Sequence, residues 1–153
     1  MSRVQLALNV SNLEEAVGFY SKLFATEPAK VRPGYANFAV ADPPLKLVLI
    51  ENPDQVPGSL NHLGIEVETA AEVVASQARL AAADLATALE EQVVCCYALQ
   101  DKVWVDGPGG EPWEIYAVLA DTEMSAGEPG GSREQACCGP EPGANVAGPT
   151  SCF

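Results

Sequence analysis

The chain has 153 residues, with 8 basic and 21 acidic side chains, a formal net charge of −13 and 48% hydrophobic residues. That length suits one domain with a single core, and the apolar content is too high for a wholly disordered chain. The negative balance argues against a nucleic-acid partner, which needs a basic face for the phosphates, and against an anionic membrane surface; no apolar run approaches the roughly 20 residues of a membrane span.

Val4, Leu6, Leu8 and Val10 alternate with Gln5, Ala7 and Asn9, which predicts a strand. Ser11-Asn12-Leu13-Glu14 follows with the spacing of a capping box, Ser11 and Glu14 satisfying free amides at a helix start. Leu13, Val17, Tyr20 and Phe24 then make one apolar face of a helix that ends near Ala25. A short strand is expected near 29–32. Two more are expected at 35–41 and 46–51, with Asp42-Pro43-Pro44 as the turn between them. The order then recurs. Leu63, Ile65 and Val67 alternate with His62, Gly64 and Glu66, Thr69-Ala70-Ala71-Glu72 is a second capping box, and an Ala-rich helix runs to about Ala83. Further strands are expected at 89–94, 102–105 and 113–118, with the Asp106-Gly107-Pro108-Gly109-Gly110 turn before the last. The chain thus duplicates a strand, a helix and about three strands, in modules of about 3–57 and 58–120 within a body of 1–120.

Superimposing the halves places Gln5 and His62 at equivalent positions, on the strand faces opposite the large aliphatics, beside the small Ala7 and Gly64. The last strand adds Glu114 between Trp113 and Ile115, where a carboxylate is costly to bury unless it is paired or binds a metal. His62 is the single histidine, so a three-His site and a Cys2His2 finger are excluded. Two readings stand for Gln5, His62 and Glu114. Either Gln5 and Glu114 are half-buried polar residues and His62 a hydrogen-bonded one, or the three are an amide oxygen, a carboxylate and an imidazole able to hold one divalent ion, like a 2-His-1-carboxylate triad with Gln5 in place of one His.

The five cysteines are Cys95, Cys96, Cys137, Cys138 and Cys152; an odd number with no evident secretion signal points to free thiols and a cytoplasmic protein. Adjacent cysteines rarely pair with each other, because the ring they close is strained. In a strand Cys95 and Cys96 would face opposite ways. They converge only if the backbone leaves strand geometry, and the following Tyr97 to Lys102 reads as a loop. Convergent thiolates would suit a soft ion such as trivalent arsenic or cadmium. Lys102 either lowers a thiol pKa in that loop or is a solvated surface charge. From Asp121 to Phe153 there are 6 Gly and 4 Pro in 33 residues and few large apolar side chains, so a disordered C-terminal tail is expected over 121–153. Its Cys137, Cys138 and Cys152 either capture such a soft ion and pass it to Cys95 and Cys96, or belong to an unselected tail.

The repeated module resembles the vicinal oxygen chelate superfamily, which includes glyoxalase I, bleomycin-resistance proteins and extradiol dioxygenases. Gln5, His62 and Glu114 match its metal positions, and the segment from Val105 to Glu114 resembles its final hairpin. Leu47 falls near a fourth metal position and cannot ligate, which fits a three-ligand extradiol-type site. Gln5 is a departure from the common first ligand, His. Val4-Gln5-Leu6-Ala7-Leu8-Asn9-Val10, Leu60-Asn61-His62-Leu63-Gly64-Ile65, and Cys95-Cys96 followed by Tyr97 and Lys102 are similar to the ArsI/CadI branch of arsenic- and cadmium-associated proteins. The resemblance covers roughly residues 3 to 120. It implies an α+β fold in which two βαβββ modules form a half-open mixed β-barrel around a metal site. It also implies an Fe(II)- and O2-dependent carbon–arsenic lyase. Gln5, His62 and Glu114 would hold Fe(II), Cys95 and Cys96 would hold the arsenic of a trivalent organoarsenical such as methylarsenite or an aromatic arsenical, and a gating loop would contain Tyr97 and Lys102.

Two rivals remain at this point. A cytosolic protein that sequesters cadmium or arsenite would use the thiols and the acidic surface, but has no need of His62 and Glu114. A glyoxalase or ring-cleaving dioxygenase of the same fold needs no adjacent thiols. With two modules in one chain, either a monomer or a homodimer is expected.

Overall fold

The computed structural model describes residues 2–123. Its elements run β1 (Arg3–Val10), α1 (Leu13–Phe24), β2 (Lys30–Arg32), β3 (Tyr35–Val40), β4 (Leu45–Glu51), β5 (Leu60–Val67), α2 (Ala70–Ala82), β6 (Ala88–Cys95), β7 (Ala98–Asp106) and β8 (Pro112–Asp121). The βαβββ order therefore occurs twice, as the periodicity indicates. Two compact units divide at Gly64/Ile65, inside β5, whereas the repeat begins its second module at 58. The last strand runs through Asp121, one residue past the expected end of the body. Cys137, Cys138, Cys152 and the rest of the expected tail beyond Glu123 lie outside the described residues. Among the described residues no helix is long and apolar enough to cross a membrane.

The first unit, residues 3–64, orders its strands β2-β3-β4-β1-β5. β1 and β4 are parallel with Gln5 opposite Lys46 and Leu6 opposite Leu47, while β3 runs antiparallel to β4 and β2 to β3. One face of this ladder carries Leu6, Leu8, Leu47 and Leu49, and packs with Phe38 and Val40 against Leu13, Ala16, Val17, Tyr20 and Phe24 of α1. Each large side chain fully buried there contributes about 1.5–3 kcal/mol of transfer free energy. Leu47 lies on this core face. The β4 residues sharing the face of Gln5 are Lys46 and Val48, so the expected placement of Leu47 near a fourth metal position is corrected.

The start of α1 also differs from expectation. Asn12, not Ser11, is the cap, and its side chain accepts from Glu15 N at 3.0 Å. Glu51 Oε2 accepts from Leu13 N at 2.8 Å, so a carboxylate from β4 satisfies another of the four orphan amides. The helix ends at Ala25 in the left-handed region, φ 49, with its N–H bonded to Ser21 O.

In the second unit β8, β7 and β6 form an antiparallel ladder, with β5 on the other side of β8. The Thr69–Glu72 capping box forms as read from the sequence, each side chain bonding the other's backbone amide. Val73 and Leu80 of α2 pack on Val103, Ile115 and Ala117, with Ile65, Val67, Leu89 and Val105 around them. The β7–β8 turn needs glycine at Gly110, which has φ 82; at Gly107 a Cβ would only push aside the Glu111 side chain. This turn sets the register that places Trp104 opposite Glu114 and Lys102 opposite Tyr116.

Candidate functional site

In the first unit, strand alternation turns Gln5, Ala7 and Asn9 of β1, and His62 and Gly64 of β5, away from the apolar face; all five are buried. Gln5 and His62 are 3% and 2% exposed, and Gln5 Nε2 lies 3.0 Å from His62 Nε2. An amide nitrogen donates and does not accept, so this contact uses the lone pair of the ring nitrogen. The other ring nitrogen, Nδ1, lies 2.7 Å from Asn61 Oδ1. Asn61 Nδ2 in turn donates to Asn9 Oδ1 at 2.9 Å, and Asn9 Nδ2 to Ser59 Oγ at 3.1 Å. The first unit thus holds a neutral chain of amides ending on one imidazole. Asn9 and Asn61 carry no motif that would single them out in the sequence.

Glu114 belongs to the second unit. It is 3% exposed and its Oε2 accepts from Lys102 Nζ at 3.0 Å. Lys102 is itself 1% exposed, so it is no solvated surface charge. Nor does it belong to a loop, because the segment expected as a loop, Tyr97 to Lys102, is strand from Ala98 onward. The gating loop expected to contain Tyr97 and Lys102 is therefore corrected to a two-residue turn, Cys96-Tyr97. Asp101 accounts for part of that misreading. Its carboxylate sits inside a strand because it accepts from Gln92 N at 2.7 Å, at the bulge where β6 carries extra residues against β7.

The turn brings the thiols together. Cys95 pairs with Ala98 across the hairpin, and Cys96 and Tyr97 both have positive φ, 53 and 60. That is the backbone of a type I′ turn, which usually takes Asn-Gly; a side-chain-bearing residue there costs on the order of 1–2 kcal/mol. The departure from strand geometry leaves the two Sγ atoms 3.2 Å apart, both as free thiols. Gln100 Nε2 donates to Cys95 O and Thr122 N to Tyr97 O, so the carbonyls on either side of Cys96 are held from neighbouring strands.

Cys95 is buried against Trp104. Trp104 lies six residues along β7 from Ala98, the partner of Cys95, a distance of about 20 Å in a flat strand. The ladder is therefore bent; its register shifts between Glu90 and Val93, where Gln92 has φ 53, and between Leu99 and Gln100. Around Trp104, Lys102 Nζ stands 5.4 Å from the ring centroid and the indole N–H donates to Glu90 Oε2 at 3.3 Å. Burial pushes the Glu90 carboxyl above its ordinary value; the charges of Cys95 and Glu114 add to this, and the Trp104 hydrogen bond and Lys102 oppose it. Glu90 and Trp104 are members of this cluster that sequence reasoning missed.

The donor types are those that take a divalent cation. In the first unit His62 presents Nε2 with its lone pair outward from the Asn61 contact and Gln5 carries an amide oxygen one bond rotation away; in the second, Glu114 is a buried carboxylate balanced by Lys102. Among the described residues no three His, Cys, Asp or Glu side chains gather to hold a metal.

The Glyoxalase/Bleomycin resistance protein/Dioxygenase superfamily matches residues 3–115. The chain is 59% identical over 140 residues to a trivalent organoarsenical cleaving enzyme of Thermomonospora curvata, covering 92% of this chain and 90% of that one. It is 63% identical over 129 residues to the cadmium-induced protein CadI of Mycobacterium tuberculosis, covering 84% of each. The Mn(II)-bound glyoxalase of Novosphingobium aromaticivorans shares the fold with a TM-score of 0.57 at 18% identity, over 89% of this chain and 44% of that one. With the twofold βαβββ order in place and the family match spanning most of it, the chain belongs to the Glyoxalase/Bleomycin resistance protein/Dioxygenase superfamily and has its α+β fold.

Proposed function

We propose that this protein is a carbon–arsenic lyase that cleaves trivalent organoarsenicals, methylarsenite and aromatic arsenicals among them, to arsenite, using Fe(II) and O2. The observation that carries the reading is the pair of free thiols 3.2 Å apart on a left-handed turn, packed on Trp104. Trivalent arsenic is soft and binds thiolates. An arsenical with two hydroxyl groups exchanges both for Cys95 and Cys96: two S–H and two As–O bonds break, two As–S bonds form, and two waters leave. The organic group stays on arsenic, and the substrate is held at a fixed place instead of meeting its reaction partner by diffusion. The high identity to an enzyme named for organoarsenical cleavage supports the same assignment.

Gln5, His62 and Glu114 would hold the iron. When bound, the iron supplies the oxygen-activating chemistry that attacks the carbon–arsenic bond. The chain's own residues do the rest. Cys95 and Cys96 orient the arsenic, Trp104 excludes water from one side of Cys95, and Lys102 balances the charge of Glu114 while it is buried. A reducing compartment such as the cytoplasm keeps the thiols competent.

The test loads the purified full chain anaerobically with Fe(II), adds methylarsenite and a reductant, admits air and quantifies arsenite. The expected result is release by the wild type and none by the Cys95→Ser/Cys96→Ser double variant or by Glu114→Ala. A second reading, a protein that sequesters cadmium or arsenite, is favoured by the 63% identity to a protein named as cadmium-induced. Tight binding without release, lost only in the cysteine variant, would select it and remove the metal reading.

A further inference from the structure

We infer that Asn61, backed by Asn9 and Ser59, is a positioning residue that fixes the tautomer of His62, placing its proton on Nδ1 and leaving the Nε2 lone pair for a cation. The inference rests on the metal reading above and assigns roles to residues outside it.

Asn61 Nδ2 donates to Asn9 Oδ1, so the atom that Asn61 turns to His62 is its oxygen, 2.7 Å from Nδ1. An amide oxygen has no proton to give, so the ring must supply it, and a neutral imidazole has only one. Nε2 is therefore bare. The opposite edge of the ring agrees independently, because Gln5 Nε2, a donor, lies 3.0 Å from Nε2. Behind Asn61 the chain is anchored. Asn9 is 2% exposed, its Nδ2 donates to Ser59 Oγ, and its backbone exchanges hydrogen bonds with the same segment, Asn9 N to Ser59 O at 2.9 Å and Gly58 N to Asn9 O at 2.7 Å.

Each amide in this relay dictates the orientation of the next, so the relay has only two self-consistent polarities. In the observed one Nε2 keeps its lone pair and accepts from Gln5. In the reverse one every amide is turned over, Nε2 carries the proton against Gln5 Oε1, and the ring is closed to a metal. A metal-bound histidine commonly has its other nitrogen fixed in this way, and losing that partner costs roughly 10- to 100-fold in metal affinity. In the observed polarity the NH2 group of Gln5 covers Nε2, so loading a cation requires the amide to turn over and present Oε1.

Because His62 is the single histidine, a full-length chain labelled with 15N-histidine gives the spectrum of one ring. In the metal-free protein the expected result is protonated Nδ1 and bare Nε2. Asn61→Leu is expected to release the ring into a mixture of tautomers and weaken Fe(II) binding, titrated anaerobically with Fe(II) alone, by roughly 10- to 100-fold. Asn61→Asp, which keeps an acceptor oxygen, is expected to restore the single tautomer and most of the affinity. A wild-type ring protonated at Nε2, or an Asn61→Leu chain with unchanged spectrum and affinity, overturns the inference. Fe(II) binding that survives His62→Ala overturns the metal reading instead, and the ring spectrum then decides the tautomer by itself.

Discussion

The two units each bury a polar cluster on the strand face turned away from their helix, and the clusters are built from opposite materials. The first is built of amides, a hydroxyl and an imidazole: Gln5, Asn9, Ser59, Asn61 and His62 are linked by hydrogen bonds. The second is ionic, with Glu114 on Lys102, Lys102 over Trp104, Trp104 on Glu90, and the thiol pair beside them. A neutral relay fixes directions cheaply, because each group keeps its partner without desolvating a charge. An ionic cluster sets charge at a point and is costly to form. Under the proposed function the first cluster orients His62 and Gln5, and the second supplies Glu114 and balances charge next to the thiols. The same duplicated module then serves two uses.

Breaking the thiol pair should separate the two uses most strongly. Cys95→Ser leaves one thiol, so the second As–S bond, which is intramolecular in the wild type, is lost; affinity for methylarsenite should fall roughly 10²- to 10⁴-fold. Trp104 fluorescence reports the binding, since the indole packs on Cys95. Fe(II) binding should be unchanged in the same variant. A parallel loss of both would mean that the clusters do not act separately. Next in size is Lys102→Met, which strands Glu114 as a buried charge and should destabilise the fold by about 3–5 kcal/mol. Adding Glu114→Gln should recover much of that loss in urea unfolding. The matching variant in the neutral cluster, Asn9→Ala, should cost only about 1–3 kcal/mol.

What the sequence could reveal follows the same division. Gln5 and His62 were legible as a facing pair because strand alternation and a 57-residue repeat are both patterns of one dimension. Convergence of Cys95 and Cys96 depends on two positive φ angles that a Cys-Tyr dipeptide does not announce. The ion pair of Lys102 with Glu114 joins neighbouring strands, and a lysine beside Asp101 reads as loop until a bulge gives that aspartate an amide to bind. Glu90 and Trp104 join the thiols only because the hairpin bends, which no local pattern announces.

The helix starts show a local contest settled at a distance, and a smaller effect tests it. Ser11 and Asn12 are both good caps. Glu51 binds Leu13 N, which makes Leu13 the first helical residue and Asn12 the cap. Asn12→Ala should therefore cost about 1 kcal/mol in urea unfolding and Ser11→Ala almost nothing. Equal costs would mean that the helix begins one residue earlier.

Glu90 gives the smallest effect and the one with a pH signature. Its carboxyl is held above the ordinary value of 4.5, chiefly by burial. A carboxyl raised in this way binds its proton more tightly in the folded chain than in the unfolded one. Stability therefore falls as pH rises from about 4.5 through the raised folded value, and the deficit persists above it. Glu90→Gln keeps an oxygen for the Trp104 indole and cannot ionise. It should raise the melting temperature slightly at pH 7 and leave it unchanged well below pH 4.5, where Glu90 is protonated in both states. A variant less stable at pH 7 would mean that the attraction between ionised Glu90 and Lys102 outweighs burial, and the ionic cluster would then hold its charges at a net gain.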